Sequence, residues 1–532
     1  MTTQSKPSVP RLQRRRSWVW GGVAVVVVGA GVAAAIFLWQ QLSRRPVAAG
    51  MAIAPQNALF TLSLPTDPSP WQAVAQSNLL QRQPWLAPDY GPVSPRGVEL
   101  AGADYLKEVR PFIGKQATLV MLPMTPETVQ ELPEPPFVWI VPTLNLPMGE
   151  QLLQRFMGSP LTEVNGIKIF SAKGVLPTAE QGAIALVNHA DQSYIVWSRH
   201  QSALKEVITT AQANNGIATK SDYQHAIKDL PPRRPLVELY VNLPAFVASQ
   251  SAAPDGALPN PPRDIEGLVA AVDMTPQDID LQAVTWIPQD RQRLIQEGQS
   301  RELSRLVPDT TLAFYGAGSF QALWQNTPQG VQKAISDTVE DLTGLDWQST
   351  FVPWMTGEFA AAFVPVPSLR NAPSLLFLSQ TNDRPRAEAA FQELDQQIRD
   401  RLKWRIQQTS PAPQPMTTWS IPPGLPVAQH GWLSNNTLFL GLGPSLLADI
   451  TPRPPRPLAD SPLYRAVIPH PRGAQLYINL SDLSLFENSL LLPQLAPDVA
   501  RSLQPFAALG VTTQVRNPQQ TLYTVRIRLK DS

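Results

Sequence analysis

Three small residues near the N-terminus have the spacing of a dinucleotide-binding turn. In VVVVGAGVAA (25–34), Gly29, Gly31 and Ala34 follow a valine run in the pattern G-x-G-x-x-A. Such a site also needs an acidic residue about 20 positions later to bind the ribose. No acidic residue occurs before Asp67, and the apolar run continues through the turn to Leu38. The sequence therefore does not support a nucleotide site, and we predict no cofactor.

The same stretch has the length and composition of a membrane span. Residues 18–39 would cover about 33 Å as a helix at ~1.5 Å per residue, close to the ~30 Å hydrocarbon core. Tryptophans stand at both ends, and no charge lies between Ser17 and Ser43. We therefore predict a transmembrane helix that anchors the protein in a membrane. Its small residues, in the pairs Gly29/Ala33 and Gly31/Ala35, offer a surface for self-association.

The charges that flank this span predict its orientation. Five basic residues precede it, whereas only Arg44 and Arg45 follow closely. The positive-inside rule then places the N-terminus in the cytoplasm and residues 40–532 across the membrane. Cleavage as a signal peptide near Val47 stays an alternative, although the apolar region is longer than usual.

Other residues that could perform chemistry do not form a recognisable site. The chain has no cysteine, and its five histidines form no close metal-binding pair. Ser319 in GAGSFQA is better explained as a turn into a helix than as a nucleophile. The acidic residues Glu340, Asp341, Asp346, Asp278 and Asp280 lack the spacing of a calcium loop and are expected in solvated loops. We predict no catalytic, cofactor-binding or metal-binding residue, and no enzymatic activity.

Charge argues against nucleic acid as a partner. Seven of the 43 basic residues and none of the 42 acidic residues lie in residues 1–45, so the remainder has a net charge of −6. A nucleic-acid-binding domain would instead carry a basic patch. With 43% apolar residues, this remainder is long enough and apolar enough to form folded domains.

An internal repeat organises the long C-terminal part. LYVNL at 239–243 corresponds to LYINL at 476–480, and a tyrosine precedes each, Tyr223 and Tyr464. Further matches occur in the same order in both halves: 55–71 with 308–324, 112–123 with 355–366, 136–145 with 373–382, 193–198 with 437–442, and 268–287 with 509–529. A series of matches in one order indicates a duplication into two similar domains.

Each half alternates apolar and polar residues in short runs between turns, with a few helical segments. The predicted fold class is α+β: an N-terminal transmembrane helix followed by two tandem similar domains of mainly antiparallel sheet with covering helices. The predicted boundaries are a basic cytoplasmic tail at 1–17, the transmembrane helix at 18–39, a linker at 40–54, a first unit at 55–289, a connecting helix at 290–307 and a second unit at 308–532.

Most of residues 55–531 resembles a known family, most clearly in the second half. GLDW at 344–347, PWMTGEFAAAFVPV at 353–366, LYINL and the final LGVTTQV…YTVRIRL are similar to cyanobacterial membrane proteins that carry a domain of unknown function, numbered thirty-three fifty-two. The first half departs more, because FIGKQATL lacks the tryptophan and the acidic residue of WMTGEF. The resemblance implies a single-pass protein with its domains in the periplasm or thylakoid lumen. It supplies no reaction and no site residues.

These observations lead to three functional hypotheses. We expect first a non-enzymatic, membrane-anchored protein that binds partners of the envelope or thylakoid as a scaffold or assembly factor. Such a protein should show an exposed apolar patch. The second hypothesis is a carrier of a lipid or other hydrophobic ligand in an apolar cavity. The third is an enzyme whose site one sequence does not reveal, which should cluster titratable groups in a cleft.

Overall fold

A computed structural model provides the architecture of the chain. It describes residues 50–71, 74, 99–100, 103–104, 109–132, 134–173, 182–230, 235–251, 265–288, 290, 302–327, 329–366, 372–409, 415–443, 450, 453–481 and 497–530.

Strands make up most of the described structure. They are β1 (Phe60–Pro65), β2 (Glu99–Leu100), β3 (Ala103–Asp104), β4 (Gln116–Met121), β5 (Phe137–Pro142), β6 (Met157–Val164), β7 (Ile167–Ala172), β8 (Gly182–His189), β9 (Gln192–Ser198), β10 (Val237–Asn242), β11 (Gly267–Met274), β12 (Asp278–Trp286), β13 (Ala313–Ala317), β14 (Phe359–Val366), β15 (Ala372–Gln380), β16 (Arg405–Thr409), β17 (Met416–Ile421), β18 (Leu425–Trp432), β19 (Thr437–Leu442), β20 (Gln475–Asn479), β21 (Phe506–Asn517) and β22 (Gln520–Leu529).

The α-helices are shorter and lie between the strands in sequence. They are α1 (Pro126–Glu131), α2 (Leu146–Phe156), α3 (Gln201–Ala213), α4 (Ser221–Lys228), α5 (Leu243–Ser251), α6 (Phe320–Asn326), α7 (Gln329–Thr343), α8 (Trp347–Thr350), α9 (Arg384–Leu402), α10 (Pro462–Val467) and α11 (Pro497–Leu503).

The first compact unit contains residues 40–293 together with 515–532. Its strands pair in the order β6-β7-β8-β9-β5-β4-β1-β10-β11-β12-β22, and every pairing is antiparallel. Helix α3 buries Leu204, Val207 and Ile208 in the same core as Val120, which lies on β4. This core forms because the strands alternate apolar residues on one face, as the period of two requires.

The second compact unit contains residues 294–514 and repeats the same order. Its strands pair as β16-β17-β18-β19-β15-β14-β13-β20-β21, again antiparallel throughout. Five of the six predicted pairs of repeated segments fall on equivalent strands of the two units; for example, LYVNL begins in β10 and LYINL in β20. In the sixth pair, 268–287 and 509–529, both β12 and β22 belong to the first unit. The longest described helix, α9, buries Phe391, Leu394 and Ile398 along one side.

The C-terminal strand departs from the predicted boundaries. Sequence analysis assigns residues 308–532 to one unit, whereas the structure places residues 515–532 with the first half of the chain. The reason is that β22 pairs with β12 along its whole length, from Asp278 opposite Arg528 to Trp286 opposite Gln520. Of the predicted connecting helix at 290–307, residues 303–305 form a single 3-10 turn, and 291–301 lie outside the described residues.

The antiparallel sheets with helices agree with the predicted fold class, but the transmembrane helix in that prediction has to be corrected. No helix in the described part of the chain is long and apolar enough to cross a membrane. Even α9, at 19 residues, carries charged side chains along its length. The predicted span 18–39, with its self-association pairs Gly29/Ala33 and Gly31/Ala35, lies outside the described residues. We therefore withdraw the single-pass localisation in periplasm or thylakoid lumen.

Removing the C-terminal strand should affect the first unit selectively. A chain ending at Gln514 lacks β22, so β12 loses one row of backbone hydrogen bonds and its ion pairs with Arg526 and Arg528. We expect the amides of β11 and β12 to exchange with solvent about tenfold faster or more, because local opening becomes easier. Hydrogen exchange read by mass spectrometry measures this. Strands β14 and β15 serve as the internal control, and unchanged protection of β12 would contradict the assignment.

Candidate functional site

The structure keeps the five histidines apart. His189 bonds the carbonyl oxygen of Ala211 through Nδ1 at 2.8 Å, and His200 bonds that of Leu132 through Nε2 at 3.3 Å. His225 and His470 are exposed, and His430 is buried elsewhere in the second unit. Within the described residues, no three histidine or acidic side chains come close enough to hold a metal ion.

The other residues singled out in the sequence have structural roles. Ser319 caps α6, since its Oγ accepts the backbone N–H of Ala322 at 3.2 Å. Asp346 caps α8 in the same way, and its bonds with Ser349 lower the pKa of its carboxyl. Asp278 and Asp280, expected in a loop, instead lie on β12 and pair with Arg528 and Arg526 of β22. Glu340 and Asp341 are exposed on α7.

A buried polar cluster in the first unit was not predicted. Glu238 on β10 lies directly opposite Ser63 on β1, which in turn lies opposite Thr118 on β4. Directly paired residues point to the same face of an antiparallel sheet, so the three side chains form one row. The hydroxyl oxygens of Ser63 and Thr118 are buried without a hydrogen-bond partner in the described structure.

Two more polar side chains belong to this cluster, Tyr223 on α4 and Lys220 just before it. The Tyr223 hydroxyl lies 3.5 Å from Oε1 of Glu238, and the Tyr223 ring meets Tyr240 edge-on with centroids 5.7 Å apart. Lys220, just before α4, approaches the Tyr240 hydroxyl with its Nζ at 3.4 Å. Burial raises the pKa of Glu238 to about 7, against its ordinary 4.5, while the Tyr223 hydroxyl acts in the opposite sense. Glu238 can therefore take up or release a proton near neutral pH.

The second unit holds a counterpart of this cluster with an amide in place of the acid. Tyr464 and Tyr477 take the places of Tyr223 and Tyr240, with ring centroids 5.4 Å apart. Gln475 replaces Glu238 and accepts the Tyr464 hydroxyl at 2.5 Å. The cross-strand neighbours are Gly316 and Ala360 instead of Ser63 and Thr118. The duplication thus carries an acid in one copy and its amide in the other, at the same position of the same packing arrangement.

This difference could have been noticed in the sequence. The repeated strand reads VELYVN in the first half and AQLYIN in the second, so an acid and its amide stand at one aligned position. The hydroxyl groups that border Glu238 come from distant strands, and only the pairing register shows that they are neighbours. The enclosed hydroxyl oxygens show that this row of side chains is packed inside the first unit.

Replacing Glu238 should change how stability depends on pH. The folded pKa of about 7 lies above the unfolded value near 4.5, so the folded state holds its proton more tightly. The free energy of unfolding therefore falls as pH rises from about 4.5 to about 7, by on the order of 3 kcal/mol at ~1.4 kcal/mol per pKa unit, and is level above that. Glu238→Gln should remove this fall and be more stable than the wild type at pH 8.

Urea unfolding of the wild type and Glu238→Gln between pH 4 and pH 8 tests whether Glu238 causes this loss of stability. The second unit offers the matched control, because Gln475→Glu places an acid at the equivalent position and should introduce a similar fall. A wild-type profile that Glu238→Gln leaves unchanged would show that Glu238 titrates normally.

A second buried polar cluster joins α9 to the sheet of the second unit. Oδ1 of Asp395 accepts the indole N–H of Trp419 at 2.6 Å and bonds Nε2 of His430 at 2.9 Å. The Phe391 ring covers His430, with centroids 4.7 Å apart. Asp395 lies in the apolar stripe of α9 beside Leu394 and Ile398, which is the sequence signal that could have identified it. Its burial beneath aromatic rings indicates a structural tie.

Removing the Asp395 carboxylate should destabilise the second unit. Asp395→Ala leaves the Trp419 and His430 nitrogens buried without their partner, at a cost of about 2–4 kcal/mol in the free energy of unfolding. Asp400→Ala, on the exposed side of the same helix, is the matched control and should cost little. Equal urea unfolding midpoints for the two variants would contradict this role.

Exposed apolar side chains occur in the connection between β4 and β5 of the first unit and at the first residue of β5. Met124 is 49% exposed, Val129 47% and Phe137 37%. We call these three residues the apolar surface. All lie at the end of the sheet where the chain leaves β4 and returns to β5. Phe60, opposite Met121 on the adjacent strand, adds its ring 6.3 Å from that of Phe137.

This connection is firmly held in place. Thr125 and Thr128 cap α1 reciprocally, each hydroxyl accepting the other's backbone N–H. Glu131 accepts both the backbone N–H and the hydroxyl of Ser202 on α3, and Glu134 pairs with Arg199 at 2.7 Å. Residues 122–137 also contain five prolines, which restrict the backbone. The apolar surface is therefore presented on a stiff support.

The second unit has a much shorter connection at this place. Fifteen residues separate β4 from β5, whereas five separate the equivalent strands β14 and β15. Residues 122–137 include three glutamates and no lysine or arginine. The first unit thus differs from its duplicate by an acidic, proline-rich insertion that displays apolar side chains.

The fold defines a duplicated protein of two antiparallel α+β units in which the second half of the chain returns a strand to the first. The chain belongs to the family described as "Protein of unknown function (DUF3352)", whose match covers residues 20–529. The comparison with curated proteins found no match.

Among solved structures, crystal form III of TP0453 matches with a TM-score of 0.26 and 9% identity, covering 46% of this chain and 81% of that one. Crystal form I of TP0453 matches with a TM-score of 0.25 and 8% identity, covering 46% of this chain and 80% of that one.

Proposed function

We propose that this chain is a non-enzymatic protein that binds a protein partner through the apolar surface of its first unit, as a scaffold or assembly factor. The observation that carries the proposal is the exposure of Met124, Val129 and Phe137 on one rigid connection. Exposed apolar side chains grouped at one place, with polar residues around them, are typical of interaction sites.

The chemistry around the surface specifies the kind of partner. Arg199 neutralises Glu134, which leaves Glu127 and Glu131 as the acidic rim. An apolar centre with an acidic rim favours a segment that carries apolar side chains between lysines or arginines. The rigidity of the connection lowers the entropic cost of association, because little ordering is needed on this side. The acidic net charge of the chain beyond residue 45 makes nucleic acid an unfavourable partner.

A paired capture experiment tests the proposal. The full-length chain and its Phe137→Asp variant are immobilised and incubated with extract from the source cells. The captured protein is identified, purified and titrated against both. We expect Phe137→Asp to weaken binding at least tenfold, since a central apolar contact is replaced by a charge that adds to the acidic rim.

Leu425→Asp is the matched control, because Leu425 is 57% exposed but lies on β18 of the second unit. It should bind like the wild type. A partner that binds Phe137→Asp and the wild type equally would place the interaction elsewhere and overturn the proposal. Loss of binding by Leu425→Asp as well would indicate general adhesion to apolar residues.

A further inference from the structure

Three aromatic rings of the second unit pack as a triangle. Phe320 and Trp324 on α6 and Trp347 at the start of α8 have ring centroids 5.9–6.2 Å apart in every pair. We call these residues the aromatic triangle. Behind it, Phe320 meets Phe359 of β14 edge-on with centroids 5.1 Å apart. The triangle is therefore one wall of a larger aromatic core.

Two polar atoms of this triangle have no partner. The indole N–H groups of Trp324 and Trp347 are both buried and make no hydrogen bond in the described structure. Trp324 as a whole is only 4% exposed. Other indoles of the same unit are paired: Trp354 donates to the Thr350 carbonyl at 3.0 Å, and Trp419 donates to Asp395. The rings of Trp324 and Trp347 are tilted by 58° to each other. Two unpaired donors on such neighbouring rings are unfavourable unless another molecule supplies an acceptor.

Helix α7 follows α6 and packs only partly into the core of the second unit, with Arg401 of α9 donating to the Glu340 carbonyl at 3.3 Å. Its apolar residues Val331, Ile335, Val339 and Leu342 follow helical spacing, yet each is only half-buried. Thr343, at its C-terminal end, is its only buried side chain among those described. The amide of Gln332 ties α7 to α6 through the carbonyl oxygens of Trp324 and Thr327, at 2.6 and 3.0 Å.

The charges on this part of the chain restrict the ligand. Asp337, Glu340, Asp341 and Asp346 are exposed on and after α7, and Lys333 is paired with Asp337 at 2.9 Å. An anionic head group would meet these carboxylates unfavourably. A neutral carbonyl oxygen, in contrast, suits two indole donors, which donate and do not accept.

We propose that the aromatic triangle is a binding site for a neutral, elongated apolar molecule that carries a carbonyl oxygen, and that α7 is its lid. The apolar part packs on the rings in place of the side chains of α7. The carbonyl oxygen accepts hydrogen bonds from Nε1 of Trp324 and Nε1 of Trp347. This site is separate from the apolar surface of the first unit, and its ligand differs in kind from a protein partner.

The test uses the full-length chain with 15N-labelled indole groups. 2-Undecanone is the probe, and undecane is the matched molecule that lacks the acceptor. We expect the indole proton signals of Trp324 and Trp347, assigned from Trp324→Phe and Trp347→Phe, to move downfield only with the ketone. The paired indole of Trp354 should not move. Each Phe variant keeps an aromatic ring at its position but lacks the donor, and it should bind the ketone about tenfold more weakly, whereas its affinity for undecane should change less.

Other outcomes decide the proposal equally clearly. Unmoved Trp324 and Trp347 signals at saturating ketone would overturn it, and so would equal affinity for ketone and undecane. If a Phe variant fails to fold, Gln332→Ala provides the second route, because it removes the tie between α7 and α6 without touching the rings. This variant should speed association with the ketone several-fold, and an unchanged rate would remove the role of α7 as a lid.

Discussion

The structure of the first unit depends on a backbone constraint: strand β12 must have its outer hydrogen-bonding edge satisfied. A free edge leaves N–H and C=O groups unpaired and invites pairing with other chains. The protein meets this requirement with β22, which pairs with β12 from Asp278 to Trp286. Two cross-strand ion pairs at one end favour this register, since a shift by one residue would separate both arginines from their aspartates.

Duplication gives each unit the same strand order, but the two copies have diverged at chemically informative places. The pair Glu238 and Gln475 differs in charge while Tyr223/Tyr240 and Tyr464/Tyr477 retain the same edge-on contact. The connection after β4 is long and acidic, and that after β14 is short. Buried indole N–H groups without a partner occur in the described parts of both units, singly at Trp197 in the first and as the neighbouring pair Trp324 and Trp347 in the second. The two candidate binding regions, the apolar surface and the aromatic triangle, thus lie in different units of the duplicated chain.

Much of the fold could be predicted from the sequence because the information is local. The alternation of apolar and polar residues predicts the antiparallel strands. The duplication is predicted by the matching LYVNL and LYINL strands and by the proline that precedes both β1 and β13. The return of β22 to the first unit could not be predicted, because either half offers an equally good edge for this strand. Asp278 and Asp280 look like loop acids until Arg528 and Arg526 are placed opposite them.

The candidate sites could not be predicted from the sequence, because they too depend on contacts between residues that are distant in the chain. An exposed side chain such as Phe137 looks like an ordinary strand residue in sequence, and its exposure depends on what packs around it. The partner of Asp395 is 35 residues away, and nothing in the helix pattern identifies His430. The transmembrane helix was inferred from the length, apolar composition and terminal tryptophans of residues 18–39, and no helix in the described part of the chain is long and apolar enough to cross a membrane.

The position of β22 also governs the order of events during synthesis. More than 230 residues separate the end of β12 from the start of β22. At a ribosomal rate of about 5–20 residues per second, β12 waits roughly 12–50 s for its neighbour. The first unit is therefore completed only after the second has been synthesised, and the open edge of β12 must stay protected until β22 leaves the ribosome.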